Sequence, residues 1–408
     1  MSLHELTLDQ LGSVARGRSR HRPRDAAFLY GGPYPFVQTG DVKSAGLYLR
    51  EYDQTYSEAG LAQSKLWPAG TLCITIAANI AETAILDIDA CFPDSVIGFT
   101  ADPEKADPRF VKYLFDAVLK MRFRSFTQGA AQDNLSQEKL LSIKFPVPDL
   151  SAQKRIADIL ATHDNLIENN QKRIALLEEA ARLLYREWFV HLRFPGHEHV
   201  KVVDGLPDTW KRQPVSELAT VFRGKSYSSA ELVETDGQPF VNLKCINRFG
   251  GFRLSGLKGF KGEHKEHHRL QTSDIVVAVT DMTREAMIVA QAARVPRAVG
   301  EGAIYSMDLV KLVPAAGIEP EWLYSMLRFS AFPMEVREKA TGATVLHLQP
   351  KHIESWLAQL PSASLRSLFA DHVRELLAQV DNLELQIVKL EQGRDLLLPR
   401  LMSGEIAA

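Results

Sequence analysis

Five arginines alternate with other residues near the start of the chain, and their spacing is the first feature that could do chemistry. They are Arg16, Arg18, Arg20, Arg22 and Arg24. Successive side chains of an extended chain point to opposite sides, so all five guanidinium groups would project from one side. Such a row of positive charge predicts an anionic partner, for which the phosphates of DNA are the natural candidate.

Other basic clusters lie in both halves of the chain. One places Arg122 and Arg124 beside two phenylalanines. The second half carries a larger set of cations: Arg223, Lys225, Lys244, Arg248, Arg253, Lys258, Lys261 and Arg269. Charged runs are often no more than solvated surface. Clusters in both halves of a chain with a formal net charge of only −2 instead favour a separate anion site in each half.

The motifs of cofactor-dependent catalysis are missing. A Walker A loop would need glycine where Ala219 stands, and no Gly-x-Gly-x-x-Gly follows a strand. The segment from Asp107 to Phe110 lacks the second proline of the amino-group DNA methyltransferase signature. His264, His267 and His268 have no cysteine or acidic partner at metal-binding spacing, which favours a solvated basic turn. We expect neither catalytic residues nor a metal in this chain.

The composition is that of an ordinary globular protein, with 408 residues, 45% hydrophobic and 24% charged. At about 150 residues per domain, this length predicts two or three domains. Three scattered cysteines are too few for a disulfide framework or a four-thiolate zinc site. Without a signal peptide or an apolar run near the ~20 residues of a spanning helix, a soluble cytoplasmic protein is expected.

The sequence of the first half of the chain aligns with that of the second half. Arg16-Gly17-Arg18-Ser19 matches Arg223-Gly224-Lys225-Ser226 at a shift of 207 residues. Matching residues later in each half are separated by a constant 213 residues, as Leu177-Glu178 and Leu390-Glu391 are. Solenoid repeats have units of about 20 to 50 residues, so two copies of about 200 do not fit one. The pattern predicts duplication of a whole domain together with its connector.

Each half ends in a long heptad pattern, in which apolar residues alternate at intervals of four and three as in the seam of a coiled coil. The first seam contains Ile156, Leu160, Ile167, Ile174, Leu177 and Leu184. The second contains Phe369, Val373, Leu376, Val380, Leu383, Ile387 and Leu390. A helix of about 38 residues would measure nearly 60 Å. Gly393 and Pro399 predict that the second helix weakens after Gln392 and ends by Leu398.

Two matched seams in one chain favour mutual pairing, although a lone heptad helix could be an amphipathic surface helix. The first helix delivers the chain to the second domain, so the second helix can pack along it only by running back. This predicts an antiparallel coiled coil. His163, Asn170 and Arg394 interrupt the seams, and they could either set the register of the pair or be partly exposed.

The remaining parts of each half begin with short β-rich runs, such as 72–76 and 274–279. One amphipathic helix follows late in each half, at 108–121 and 320–327. Strands before helices, without strict alternation, favour an α+β fold. We predict two tandem globular domains at 1–150 and 196–360. Spacer helices at 151–195 and 361–408 would join and separate them.

This layout resembles the specificity subunit of a type I restriction-modification enzyme. The tandem arrangement carries the resemblance over essentially all 408 residues. Three strings add to it: LSAQKRIADIL at 150–160, NNQKRIALLE at 169–178 and LLPRLMSGEI at 397–406.

The resemblance implies two target recognition domains, each binding one half of an asymmetric bipartite site in double-stranded DNA, with the helical rod setting the spacer. It implies a non-catalytic subunit that binds two methyltransferase subunits and, through them, motor-nuclease subunits. S-adenosylmethionine, ATP and Mg would then belong to those partners.

Two alternatives stay open at this point. A scaffold or adaptor could use the coiled coil to assemble proteins and its globular domains to bind protein. A fused restriction-modification enzyme with unrecognised catalytic residues is the other, although the missing methyltransferase signature weighs against it.

Overall fold

The computed structural model describes residues 3–20, 23, 26–77, 79–126, 136–234, 236–283 and 285–407, with only the backbone described at 119–126. The chain divides into two compact units. Unit 1 contains the residues up to Asn169 together with those from Lys389 onward, and unit 2 contains Asn170–Val388. Within the described ranges, no helix combines the length and the apolar character that crossing a membrane requires.

Unit 1 is built from short strands and a few helices. Its strands are β1 (His4–Leu6), β2 (Gly12–Arg16), β3 (Tyr30–Phe36), β4 (Tyr48–Leu49), β5 (Gln54–Tyr56), β6 (Leu66–Trp67), β7 (Leu72–Thr75), β8 (Thr83–Leu86), β9 (Ala90–Cys91), β10 (Val96–Ala101) and β11 (Phe145–Val147). The helices that begin in it are α1 (Leu8–Leu11), α2 (Thr39–Ser44), α3 (Glu58–Ala62), α4 (Pro108–Phe126), α5 (Gln137–Leu141) and α6 (Leu150–Tyr185). The strands form a sheet in the order β2-β10-β7-β8-β4, a second in the order β5-β3-β9-β6, and the pair β1-β11.

The main sheet of unit 1 is buried on both faces, which explains the continuous apolar run in β7. Leu72 and Ile74 belong to a core that also contains Phe110 and Leu114 of α4. Cys73, which lies between them in the strand, belongs to a separate apolar cluster. Because neighbouring side chains of a strand point to opposite faces, a strand covered on both sides needs apolar residues at every position.

Unit 2 has a similar inventory. Its strands are β12 (Val202–Val203), β13 (Leu206–Pro207), β14 (Lys211–Pro214), β15 (Ala219–Arg223), β16 (Leu232–Val233), β17 (Gln238–Val241), β18 (Lys258–Phe260), β19 (Arg269–Leu270), β20 (Ile275–Ala278), β21 (Thr280–Asp281), β22 (Ala292–Arg294), β23 (Ala303–Tyr305), β24 (Leu309–Pro314), β25 (Leu346–His347) and β26 (Leu357–Leu360). Its helices are α7 (Val215–Leu218), α8 (Pro320–Phe329), α9 (Phe332–Arg337), α10 (Pro350–Glu354) and α11 (Ala363–Met402). The sheets are β15-β24-β20-β22 and β16-β18-β17-β23-β19, with the pairs β14-β26, β12-β13 and β21-β25.

The strand order confirms the predicted α+β fold and its internal repeat. In the second sheet of each unit, one strand pairs in parallel with a strand from much later in the sequence: Phe36 of β3 lies opposite Cys91, and Phe240 of β17 lies opposite Ile304. In the main sheets, β15 pairs antiparallel with β24 just as β2 pairs with β10. The late helix of each unit is longer than predicted, ending at Phe126 in α4 and at Phe329 in α8.

The two long helices run antiparallel where they meet in unit 2. Near the start of this stretch, Asn170 Nδ2 donates to Gln386 Oε1 at 3.2 Å. A π-helical turn, Arg186–Val190, continues directly from the end of α6. It places the ring of Phe189 4.9 Å from the ring of Phe369 in α11. Later residues of one helix therefore face earlier residues of the other. Asn170 is buried, and its bond across the pair is one that a register-setting polar residue would make.

All the predicted seam residues are at least half-buried. The buried ones are Ile156, Leu160, Ile167, Phe369, Val373, Val380 and Leu383. The half-buried ones are Ile174, Leu177, Leu184, Leu376, Ile387 and Leu390. In unit 1 the polar seam residue Arg394 donates from Nη1 to Asp164 at 2.7 Å, and the Tyr113 hydroxyl donates to the same carboxylate at 2.5 Å.

The prediction that the second helix ends by Leu398 is wrong. Helix α11 continues to Met402 with Pro399 inside it. Proline has no N–H and removes one helical hydrogen bond. Leu401 and Met402 are nonetheless buried in the core of unit 1, beside residues of α4 and α6. Burial of these side chains offsets the lost bond and keeps the last turn helical.

Substituting Leu401 by alanine tests this contact. Leu401 is 1% exposed, and removing a buried leucine side chain should lower the free energy of unfolding of unit 1 by about 2–5 kcal/mol. Leu396, in the same helix, is 69% exposed, and its alanine variant should change the free energy by less than about 0.5 kcal/mol. Urea unfolding followed by hydrogen exchange of β7 and β8 peptides measures both. Equal effects of the two substitutions would contradict this placement of the helix end.

Unit 2 contains a buried group of charges on both long helices. Arg294 donates to both oxygens of Asp381 on α11, at 2.9 and 2.6 Å. Arg328 donates to both oxygens of Glu178 on α6, at 3.0 Å each. The Oε2 atom of Glu384 is buried and has no hydrogen-bond partner among the described residues. Burial, reinforced by the charges of Asp381 and Glu178, raises the pKa of Glu384 to about 7.

Because the pKa of Glu384 is higher in the folded chain than its ordinary value of 4.5, ionisation of this group opposes folding. Stability should therefore fall as pH rises from 4.5 towards 7. Glu384→Gln should raise the free energy of unfolding by about 2 kcal/mol at pH 8, which is about 5 °C in Tm, and change it little at pH 5. Calorimetry at the two pH values measures the difference, and Glu375→Gln, an exposed site on the same helix, is the control. The same shift at both pH values would be the opposing result.

Candidate nucleic-acid interface

The first strand of the main sheet in each unit leads into a short basic segment. We call this segment, Arg16–Ser19 in unit 1 and Arg223–Ser226 in unit 2, the basic corner. In unit 1, β2 ends at Arg16, and Gly17 and Arg18 follow. In unit 2, β15 ends at Arg223, and Gly224 and Lys225 follow. The side chains of Arg16, Arg18 and Arg223 are exposed, whereas that of Lys225 is half-buried. The matched sequence strings therefore occupy matched positions in the fold.

In unit 1 the corner is continued by a bridge to a distant segment. Ser19 forms an isolated bridge with Ser64, whose hydroxyl donates to the carbonyl of Arg18 at 2.6 Å. Because Lys65 follows Ser64 in the chain, this contact places Lys65 close to the basic corner. Its ammonium group lies 3.5 Å from the centre of the Trp67 ring. Arg20 is also exposed, so its side chain and that of Lys65 add to the same basic surface. Sequence reasoning missed Lys65 because a single lysine far along the chain carries no signal of the bridge.

In unit 2 the corner lies within a denser group of cations. Lys225 Nζ is 3.7 Å from a carboxylate oxygen of Glu231, and the backbone N–H of Lys261 donates to the carbonyl of Glu231 at 2.9 Å. Burial lowers the pKa of His268, and the positive charges of neighbours that include Lys225 lower it further. The basic residues gathered here are Lys225, Lys261, Lys265, Arg269 and the three histidines at 264, 267 and 268. The excess of positive charge suits an anion.

The histidines are held in place by the backbone of the turn. His268 Nδ1 accepts the N–H of Lys265 at 3.2 Å, and the Tyr305 hydroxyl lies 3.2 Å from the carbonyl oxygen of His267. Arg269 pairs with Glu266 at 3.3 Å. No group of three or more His, Cys, Asp or Glu side chains within the described ranges is arranged to hold a metal.

Three other predicted residues lie on the neighbouring segment 242–260. Arg253 Nε donates to the carbonyl oxygen of Lys244 at 2.8 Å, which ties these two residues together. Lys258 lies in β18, opposite Phe240. All three side chains are exposed. They therefore lie on one continuous piece of the second sheet of unit 2 and its connections.

Arg248 is placed differently. It lies on a tight turn with Phe249, which is 75% exposed, and the turn then passes through Gly250 and Gly251. Both glycines have left-handed φ angles, 82° and 89°, and pack against the Arg328 side chain. The base of this turn is thus fixed to Arg328 of α8, which pairs with Glu178 of α6.

The side chains of four predicted basic residues are not among those that the structure describes. Arg22 and Arg24 lie outside the described residues. Arg122 and Arg124 lie in α4, in the part where only the backbone is described. Their proposed contacts with DNA stay predictions.

A known family matches the first part of the chain. Residues 5–179 match the family described as the type I restriction modification DNA specificity domain. This range covers the globular part of unit 1 and most of α6.

Relatives and one solved structure extend the match to the whole chain. The MjaIX type I restriction enzyme specificity subunit of Methanocaldococcus jannaschii is 23% identical over 399 residues, which cover 92% of this chain and 88% of that protein. The HindI specificity subunit of Haemophilus influenzae is 22% identical over 97% of this chain and 98% of that one. The crystal structure of the type I restriction-modification S subunit from M. genitalium shares the fold, with a TM-score of 0.59 and 15% identity over 98% of this chain and 96% of that chain. By the family match over its first part, by relatives that span nearly the whole chain, and by fold, this chain is similar to type I restriction-modification specificity subunits.

Proposed function

We propose that this chain selects the DNA target of a type I restriction-modification complex, with each unit binding one half of an asymmetric bipartite site. The observation that carries the proposal is that four strands of the main sheet follow the same order in both units and lead into the same basic corner, with different cations around it. Equivalent scaffolds with different surfaces suit two half-sites of different sequence.

The two surfaces differ in the segments that follow β3 in unit 1 and β17 in unit 2, the first strand of each parallel pair. In unit 2 the segment 242–269 carries seven lysines and arginines against two glutamates. In unit 1 the corresponding segment 38–65 carries three cations against four carboxylates. Side chains that contact base edges must differ when the bases differ, whereas contacts to the DNA backbone need not.

The role of the chain is recognition and not catalysis. We propose that two methyltransferase subunits bind the helices, one for each half of the repeat, and that motor-nuclease subunits join through them. Leucines on the outer side of α6, at 166, 176 and 183, are exposed and offer apolar surface for such partners. S-adenosylmethionine, ATP and Mg would be bound by the partners, and the complex would work in the cytoplasm, where its DNA is.

Methylation mapping tests the proposal directly. A host without restriction-modification genes would express this chain with the methyltransferase subunit of the same system, and its genome would be sequenced for methylated bases. We expect one asymmetric motif with two short words and a fixed gap, absent when the methyltransferase is expressed alone. DNA binding by the purified chain should also weaken about 10³-fold or more between 50 and 200 mM salt, as expected for roughly six or more phosphate contacts. An adaptor that binds only protein would give no motif and no salt-dependent binding.

The helical pair provides a second test, because we propose that its length sets the gap between the two words. Duplicating 171–177 in α6 and 379–385 in α11 adds one heptad to each seam in register. Seven residues lengthen a helix by about 10 Å, which corresponds to at most about three base pairs. The mapped motif should keep both words and gain about two to three base pairs of gap. A change in either word with an unchanged gap would show that the helices do not measure the site.

A further inference from the structure

The glycine of the basic corner is required by space in both units. A Cβ atom added to Gly17 would overlap the carbonyl oxygen of Pro93 and the side chain of Phe92. A Cβ atom added to Gly224 would overlap the carbonyl oxygen of Ser306. In each unit the corner therefore passes directly over the backbone next to the inner parallel strand, β9 in unit 1 and β23 in unit 2.

Backbone hydrogen bonds fix the corner at that glycine or at the residue that follows it. In unit 1, Gly17 N–H donates to Val96 at 2.8 Å, and Arg18 N–H donates to Phe92 at 3.0 Å. In unit 2, Lys225 N–H donates to Tyr305 at 2.8 Å, and the Lys225 carbonyl accepts from Met307 N–H at 2.8 Å. The backbone of the cations is held rigidly, while three of the four side chains are exposed.

The charged ends are constrained to different degrees. Arg16 Nε donates to the carbonyl oxygen of Asp94 at 2.9 Å, which leaves its terminal nitrogens available, and Lys225 is held near Glu231. Arg18 and Arg223 have no ion-pair partner within the described part of the chain. A pair of cations separated by one glycine at a fixed strand end is thus repeated once in each unit, with three of the four side chains exposed and that of Lys225 half-buried.

We propose that this corner, Arg16–Ser19 in unit 1 and Arg223–Ser226 in unit 2, is a phosphate clamp that positions the DNA on each unit without contributing to the choice of bases. The inference rests on the proposed function and deepens it. The DNA backbone is the same at every sequence, so a contact to it can be identical in two units that recognise different words. The corner is the shared basic feature, and the surrounding cations are the ones that differ.

The clamp is tested with the full-length chain assembled with its methyltransferase subunits. The probes are two labelled 40-base-pair duplexes, one with the mapped bipartite target and one with a single word scrambled. The variants carry Arg16→Gln with Arg18→Gln, or Arg223→Gln with Lys225→Gln. The controls are Lys144→Gln and Arg212→Gln, which remove exposed cations next to or within the strand pairs β1-β11 and β14-β26.

Each double variant should raise Kd about 10- to 100-fold, and by the same factor for both duplexes. The slope of log Kd against log salt should become shallower by about 1.8, or about 0.9 for each lost phosphate contact. The methylated motif should keep both words, and the control variants should bind like the parent chain.

Three results would overturn the clamp. One is an unchanged Kd, another is a loss confined to the duplex with both words intact, and the third is an altered word in the methylated motif. If the parent complex itself does not prefer the target over the scrambled duplex, the proposed function is contradicted together with the clamp that rests on it. If the parent discriminates and the variants behave like it, only the clamp fails.

Discussion

The packing of α6 against α11 is the constraint on which the rest of the chain depends. Seam residues of both helices enter the apolar cores of the globular parts: Ile156 and Leu160 in unit 1, Phe369 and Val373 in unit 2. The seam is therefore not a separate coiled coil attached to finished domains. Each unit uses one stretch of each helix as part of its own core, and neither core is complete on one helix alone.

Buried polar groups add specificity to this packing. Apolar heptads can slide by a turn at modest cost, whereas a hydrogen-bonded or charged pair is satisfied in one register only. Asn170 with Gln386 supplies such a pair in unit 2, and Asp164 with Arg394 does so in unit 1. Glu384, with its raised pKa, is the exception, because its buried Oε2 atom has no hydrogen-bond partner among the described residues.

Much of this fold could be predicted from the sequence, since the repeat and the heptads are periodic signals. The corner Arg-Gly-cation follows equivalent strands in the two units, as the matched strings predicted. What could not be predicted depends on contacts between distant residues. The helix continues past Pro399 because Leu401 is buried, and Lys65 joins the basic surface through a bridge between Ser19 and Ser64. Local propensity carries no information about either contact, and it favoured the wrong helix end.

The burial of Leu401 in the same apolar core as Leu8 and Leu11 has a consequence for the order of folding. Residues of the first core are synthesised almost four hundred residues apart, with the whole of unit 2 between them. Closing so long a loop is slow, and domains generally fold as units during synthesis. The globular part of unit 1, although it is made first, therefore keeps an uncovered apolar surface until the end of α11 has been synthesised. A chain cut short before residue 401 would leave that surface open to chaperones and proteases.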